Sequence, residues 1–309
     1  MDKKINVVLL IDDEPLYAPY VIKKMLQDLD SSMLLKYVIF THGNYRKVSE
    51  KKNKQQVSYL YGYFNNLLLN IYYNYKSMMM KFDDNQNHYK LLEQYGIHYC
   101  ITDDINSDEI VNIIKQQDTD IIFSLTHHIL KKDILNVPNL ICINRHTGKL
   151  PNYAGLMSCL YTMLDQKDNQ QITITQTMHT MVEKIDAGDI LIQLDYNISR
   201  NSSLFYAYST LYKDTVSLFN KAVKKYVNQE IILQDMSERT YYSFPEKHIA
   251  KEYRKHFKIF KLKELLNNMG LEINGGGNNK PLCVYGLCSQ CVNKIESLLF
   301  IPSVRYGWC

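Results

Sequence analysis

The sequence has no run of 18 apolar residues, so it offers no candidate membrane span. It has no glycine fingerprint of the Gly-x-Gly-x-x-Gly type after its first apolar run, and no Gly-x-x-x-x-Gly-Lys-Ser/Thr anywhere. Dinucleotide-binding and P-loop readings therefore lose their main support. Charge of either sign is not in large excess. The 36 basic and 32 acidic residues leave a net charge of +4, too little to argue for nucleic acid. The N-terminus lacks a small-residue cleavage site, and Asp12, Asp13 and Glu14 follow its apolar run at once, so Val7 to Ile11 reads as a first strand and not as a signal peptide. The seven cysteines are an odd number, and Cys100, Cys142 and Cys159 sit in apolar stretches as small core residues. A reduced, cytoplasmic setting is expected. No internal repeat is evident.

Apolar residues, by contrast, make up 46% of the chain, enough for a sizeable core. Strand-length apolar runs recur at Val7–Ile11, Lys36–Phe40, Tyr99–Ile101, Asp120–Leu125 and Leu140–Asn144. Helical stretches fall between them: Tyr20–Leu29 after the interruptions at Pro15 and Pro19, Val57–Met80, and Asp108–Gln117, which opens on Asn106 and Ser107 with acidic residues in its first turn. The Met78–Met80 run reads as core filling. This alternation predicts an α/β fold, an open and mostly parallel twisted sheet flanked by helices. After residue 205 the pattern changes. Tyr206–Val227 reads as one amphipathic helix, Ile231–Leu233 as a short strand, Thr240–Pro245 as an extended segment and Ile249–Leu266 as a basic helix. The expected organisation is a catalytic domain over 1–205, a small and mainly helical extension over 206–269, and a Gly/Asn linker with a cysteine-containing tail over 270–309. The tail spacing, Cys283-x₄-Cys288-x₂-Cys291 with Cys309, is poor for a zinc site.

Reactive side chains are densest between residues 140 and 193. Asn144-x-His146 follows an apolar strand at the strand's carboxyl end, where open sheets of this class bind ligands. Residues two apart in an extended segment face the same side, so the amide and the imidazole can share a pocket. Leu150-Pro151-x-Tyr153-x-Gly155 is a turn-rich loop beside them. His179 lies in the strand Ile172–Met181, and Asp186-Ala187-Gly188-Asp189 forms a turn that can bring Asp186 to His146. Each piece has an ordinary structural explanation on its own: strand-end polarity, a loop turn, a packed histidine.

Together they resemble the N10-formyltetrahydrofolate-dependent formyltransferases, a family that includes methionyl-tRNA, glycinamide ribonucleotide and sugar N-formyltransferases. The family pattern Ile-Asn-x-His followed by Leu-Pro-x-Tyr-x-Gly is met by Ile143-Asn144-Arg145-His146 and Leu150-Pro151-Asn152-Tyr153-Ala154-Gly155. Its second block, a histidine strand with Asp-x-Gly seven residues on, is met by His179 and Asp186-Ala187-Gly188. The resemblance covers roughly 5–205 and implies a Rossmann-like sheet of the formyltransferase type. It implies Asn144, His146 and Asp186 as the catalytic trio, with His179, Tyr153 and Gly155 in support. It also implies a folate pocket along Ser124, Leu125, Thr126, Ile129 and Leu130, contacted through main-chain groups. The chain departs from the pattern at Thr147-Gly148, where Pro-Ser is usual, and at Ala154, where Arg is usual. The implied reaction is formyl transfer from N10-formyltetrahydrofolate to a primary amine, an amino sugar or another small molecule. Alternatives are methionyl-tRNA formylation, disfavoured because residues 206–309 do not read as a five-stranded barrel, and hydrolysis of the formyl-folate. The resemblance leaves a homodimer open. Asp186 is expected to raise the pKa of His146. His127-His128 is a tempting metal pair, but no carboxylate stands beside it at ligand spacing, and no metal is expected.

Overall fold

The computed structural model describes residues 3–42, 60, 71–81, 83–84, 87–261 and 264. The glycine run, the cysteine tail and most of Val57–Met80 lie outside the described residues. Residues 1–260 form one compact unit and 261–309 a second.

A seven-stranded sheet carries the first unit, in the order β3-β2-β1-β4-β5-β7-β8. The strands β1 (Ile5–Asp12), β2 (Met33–Thr41), β3 (His98–Thr102), β4 (Ile121–Leu125) and β5 (Ile141–His146) are mutually parallel. β7 (Gln171–Thr180) and β8 (Ile190–Ser199) continue the sheet antiparallel. The strands of the β1–β4 pair are buried on both faces, which is why they read as unbroken apolar runs instead of alternating ones. One face packs Val7, Leu9, Phe123 and Ile143 against helix α1 (Ala18–Asp28) and, with Phe219 stacked on Phe123 at 4.1 Å, against α8 (Thr215–Val227). The other face packs Val8, Leu10, Ile122 and Cys142 against α4 (Asp108–Gln116), whose N-cap Ser107 accepts the Ile110 amide as its sequence suggests.

Several expectations are corrected. Helix α1 starts at Ala18, so Pro19 sits inside its first turn, where a missing N–H costs nothing. Residues 71–81 form helix α2, which sends Tyr72 inward against Phe205; Met78 is 46% exposed and fills no core. The single helix expected over Tyr206–Val227 is two, α7 (Leu204–Lys213) and α8, because Asp214 leaves helical geometry and its carboxylate accepts the Tyr196 hydroxyl at 3.0 Å. Ile231–Leu233 contributes one bridge, Ile232 to Ile190. The basic helix expected over Ile249–Leu266 begins as α9 at Lys247–His256; residues 257–261 leave helical geometry, and most of 262–266 lies outside the described residues. The remaining elements are α3 (His88–Gln94), α5 (Lys132–Leu135), α6 (Ser158–Asp165) and a short parallel pair, β6 (Ala154–Gly155) with β9 (Tyr241–Tyr242). No helix among the described residues is long and apolar enough to cross a membrane.

Candidate active site

β5 ends in Asn144-Arg145-His146, and the period of two sends Asn144 and His146 to one face and Arg145 to the other. The antiparallel pairing with β7 sets His179 directly opposite Asn144. The Asn144 amide nitrogen lies 3.1 Å from His179 Nε2. His179 Nδ1 is 2.7 Å from the Thr180 carbonyl, which can only accept, so Nδ1 carries the proton and Nε2 accepts from Asn144.

Asp186 arrives from the loop between β7 and β8, in the left-handed region (φ 49°) that aspartate tolerates better than most residues. The loop is pinned closely. A Cβ on Gly188 would lie 1.9 Å from the Thr180 carbonyl oxygen. Gln234 donates to the Asp186 and Gly188 carbonyls, and Arg239 donates to the Ile185 carbonyl. The carboxylate thereby sits between two rings. Oδ1 is 3.6 Å from His179 Nε2, Oδ2 is 3.6 Å from His146 Nδ1, and Oδ2 also accepts the Gly155 amide at 2.7 Å. Asn144, His146, His179 and Asp186 are thus brought together. Tyr153 and Gly155 join them through their main chain: the Tyr153 carbonyl accepts His146 Nε2–H at 2.6 Å, while its ring stacks on Tyr242 and its hydroxyl donates to Asp165.

Burial decides the protonation of this group. It lowers the pKa of His146, outweighing Asp186 and the Tyr153 hydrogen bond, which both raise it. The expectation that Asp186 would raise this imidazole is therefore reversed in net effect: at 3.6 Å the attraction is too weak to compensate for a ring 6% exposed. Burial pushes Asp186 upward as well, but the two neighbouring imidazoles, His179 first and then His146, together with the Gly155 amide overcome it and hold the carboxyl at about 2. The resting site is a neutral His146 beside an ionised Asp186.

The loop after β4 runs beside β5, with Ser124 paired to Asn144. Ser124 Oγ is buried and makes no hydrogen bond. Leu125 packs on the core and the Leu130 side chain is buried in it, which leaves their main chain for any ligand; Ile129 is 62% exposed. Thr126 Oγ1 is engaged with Asp12 and Thr41. The sequence reading found no carboxylate beside His127-His128. The fold supplies one from 115 residues away, since Asp12 at the end of β1 holds His127 Nδ1. Sequence reasoning also passed over Arg145, whose guanidinium lies 3.7 Å from the Tyr212 ring; Tyr242, read from the sequence as a ring that could stack on a base or dock on the sheet, stacks on Tyr153 and Tyr161 over the site loop. An arginine set between Asn144 and His146 at the end of the strand was the available signal for Arg145.

An Asn, two His and an Asp thus converge at the carboxyl end of one central strand of an open, mostly parallel sheet, the place where such sheets bind ligands. Residues 81–223, a little under half of the chain, match the family described as formyl transferase. The chain is similar to the methionyl-tRNA formyltransferase of Caldicellulosiruptor saccharolyticus, 29% identical over 136 residues, covering 44% of this chain and 42% of that protein. It is similar to the methionyl-tRNA formyltransferase of Lysinibacillus sphaericus, 33% identical over 132 residues, 40% of this chain and 41% of that one. The match thus spans less than half the length of these curated relatives. Glycinamide ribonucleotide transformylase 1 from Symbiobacterium toebii shares the fold at 10% identity, with a TM-score of 0.50 over 76% of this chain and 93% of that structure.

Proposed function

We propose that the chain is an enzyme that transfers a formyl group from N10-formyltetrahydrofolate to the primary amine of a small molecule, with an amino sugar as the leading acceptor and the cytoplasm as its setting. The observation that carries this reading is the Asp186 carboxylate held 3.6 Å from both His146 and His179, with the Asn144 amide on the same strand face. The residues beside β4 fit a folate: the buried Ser124 hydroxyl wants a partner, and the main chain of Thr126–Leu130 is the neighbouring edge. When bound, the folate supplies a formyl carbon open to attack by an amine.

The chain's residues stabilise the charges that attack creates. Negative charge develops on the formyl oxygen, and donors fixed in a water-poor site are worth most there. Asn144 has a second amide N–H beyond the one given to His179, and His146 has its Nε2–H, which must turn from the Tyr153 carbonyl to reach the oxygen. Positive charge develops on the amine nitrogen, and the ionised Asp186 faces it. With its pKa near 2, Asp186 serves as an electrostatic partner more than as a store for the proton, which it hands on through water.

A tRNA acceptor is the second reading, favoured by the names of the matched relatives. Against it, the described residues from 204 to 260 form three helices and a two-residue strand. Incubation with formyl-folate and a panel of amino-sugar nucleotides, simple amino sugars and methionyl-tRNA, read by mass spectrometry, tests the proposal. A gain of one formyl group on an amino sugar supports it. Formylation of methionyl-tRNA alone selects the second reading, and release of free formate with no formylated product contradicts both.

A further inference from the structure

The strand order turns back on itself between β1 and β4, with β2 and β3 on one side and β5 on the other. In open α/β sheets the crevice at that point, beyond the strands' carboxyl ends, is where ligands bind. The crevice here holds a built device that the formyl-transfer chemistry above does not use. Asp12, the last residue of β1, is 3% exposed. Its Oδ1 accepts the hydroxyls of Thr41 at 2.7 Å and Thr126 at 2.8 Å, and its Oδ2 accepts from His127 Nδ1. A carboxylate deprotonated in this way only accepts, so the imidazole proton is on Nδ1 and Nε2 faces outward. The His127 side chain is 60% exposed. Three strand ends therefore cooperate to aim one accessible imidazole into the crevice.

The surrounding charges decide what it can take. Glu14, in the turn before α1, has both oxygens engaged: Oε2 accepts the Leu16 amide at 2.7 Å and Oε1 those of Tyr17 at 2.7 Å and Ala18 at 2.9 Å. The Asp12 and Glu14 oxygens are thus engaged by the protein's own donors. Arg145, 8% exposed on the Tyr212 ring, has Nε and Nη2 without a hydrogen bond. Once the ring takes a second proton, an oxyanion entering here finds an outward Nε2–H, with the Arg145 charge behind it.

We propose that His127, oriented by Asp12, binds an oxyanion, a phosphate or a carboxylate, carried by a substrate of the formyl transfer proposed above, on which reading this inference rests. His127 follows Ser124 by three residues, and Ser124 pairs with Asn144, so the His127 backbone lies at most about 10 Å along the strand direction from the level of Asn144, one strand over. That distance suits a substrate whose amine and oxyanion are separated by a sugar-sized spacer. Protonation of the ring supplies the outward Nε2–H through which the oxyanion is held. The protein around His127 disfavours its charged form and Arg145 opposes it too, but the hydrogen bond and charge of Asp12 and the charge of Glu14 prevail and raise its pKa.

The test uses the full-length protein with histidine side-chain NMR and needs no turnover. Inorganic phosphate, and separately acetate, is titrated into the wild type, His127→Ala, Asp12→Asn and, as a control, His128→Ala, each checked for fold by circular dichroism. Saturable shifts of the His127 ring are expected, weakening as pH rises through its raised pKa. His127→Ala should lose binding by at least about tenfold, and Asp12→Asn should weaken it severalfold at neutral pH because the unpaired ring is less protonated. Should Asp12→Asn fail to fold, His127→Gln replaces it, with the loss seen for alanine expected. Repeating the titration under saturating 5-formyltetrahydrofolate assigns the oxyanion: phosphate excluded places the folate's own carboxylate tail there, and phosphate retained places the acceptor there. No saturable shift, or equal affinity in His127→Ala, overturns the proposal. A protein that binds phosphate at His127 yet formylates nothing would defeat the transfer reading alone.

Discussion

The proposed reaction gives Asp186 two roles, and they separate experimentally. As an ionised partner of the reacting amine it would govern rate. His146→Ala and Asp186→Ala are each expected to lower turnover by a factor on the order of 10²–10³ with circular dichroism unchanged, the usual cost of removing one group that stabilises developing charge. As a buried carboxylate it also governs stability against pH. Its folded pKa of about 2 lies below the unfolded value of 3.8, so its contribution is fully present above pH 4 and is lost as pH falls through 2. The size is roughly 2 kcal/mol. Urea unfolding of the wild type and Asp186→Asn between pH 5 and 2 should show the difference between them shrinking across that window. The trio was legible in the sequence because motif spacing survives in one dimension. The state of His146 was not, since its neutrality comes from burial by residues that the local sequence does not name.

The loop from Met181 to Asp189 and the β6–β9 pair are the elements that hold the trio. Gly188 leaves no space for a side chain against Thr180, and Gly155, at φ +96°, would place a Cβ 2.1 Å from the Tyr242 carbonyl oxygen. Gly188→Ala is expected to destabilise by at least about 2 kcal/mol in denaturant titration and to displace Asp186, costing activity along with stability. Gly155→Ala should separate β6 from β9 and remove the amide that Asp186 accepts. At this scale the five parallel strands were readable to within one to a few residues, because buried parallel strands are continuous apolar runs, whereas the edge strand β8, half-exposed and mixed in character, was not read. Helix breaks were harder. Nothing in the local pattern around Asp214 marks the end of α7; the stop is set by the Tyr196 hydroxyl from a strand 18 residues earlier. The Asp12–His127 pair was unreadable for the same reason, joining residues 115 apart.

Across residues 1–260, the helices after Leu204 are laid against the same sheet that carries the site. Val216, Phe219, Ala222 and Val223 are buried in one cluster with Val7, Leu9, Phe123 and Ile143. Phe219→Ala is expected to cost about 3–5 kcal/mol and to lower the thermal midpoint of the whole unit in a single transition. The alternation of strand and helix foretold this layered architecture, but composition could not say which later helices cover which face, since that depends on chain reversal after β8. The claim on which the account turns is that one imidazole and one carboxylate, drawn from β5 and a distant loop, act together on a formyl group. It is tested most directly by the rate of tetrahydrofolate release from N10-formyltetrahydrofolate with a formylated acceptor, for the wild type, His146→Ala and Asp186→Ala, alongside binding of 5-formyltetrahydrofolate. The account predicts near-normal folate binding in both variants with release slowed by at least about a hundredfold; wild-type release rates in either folded variant would contradict it.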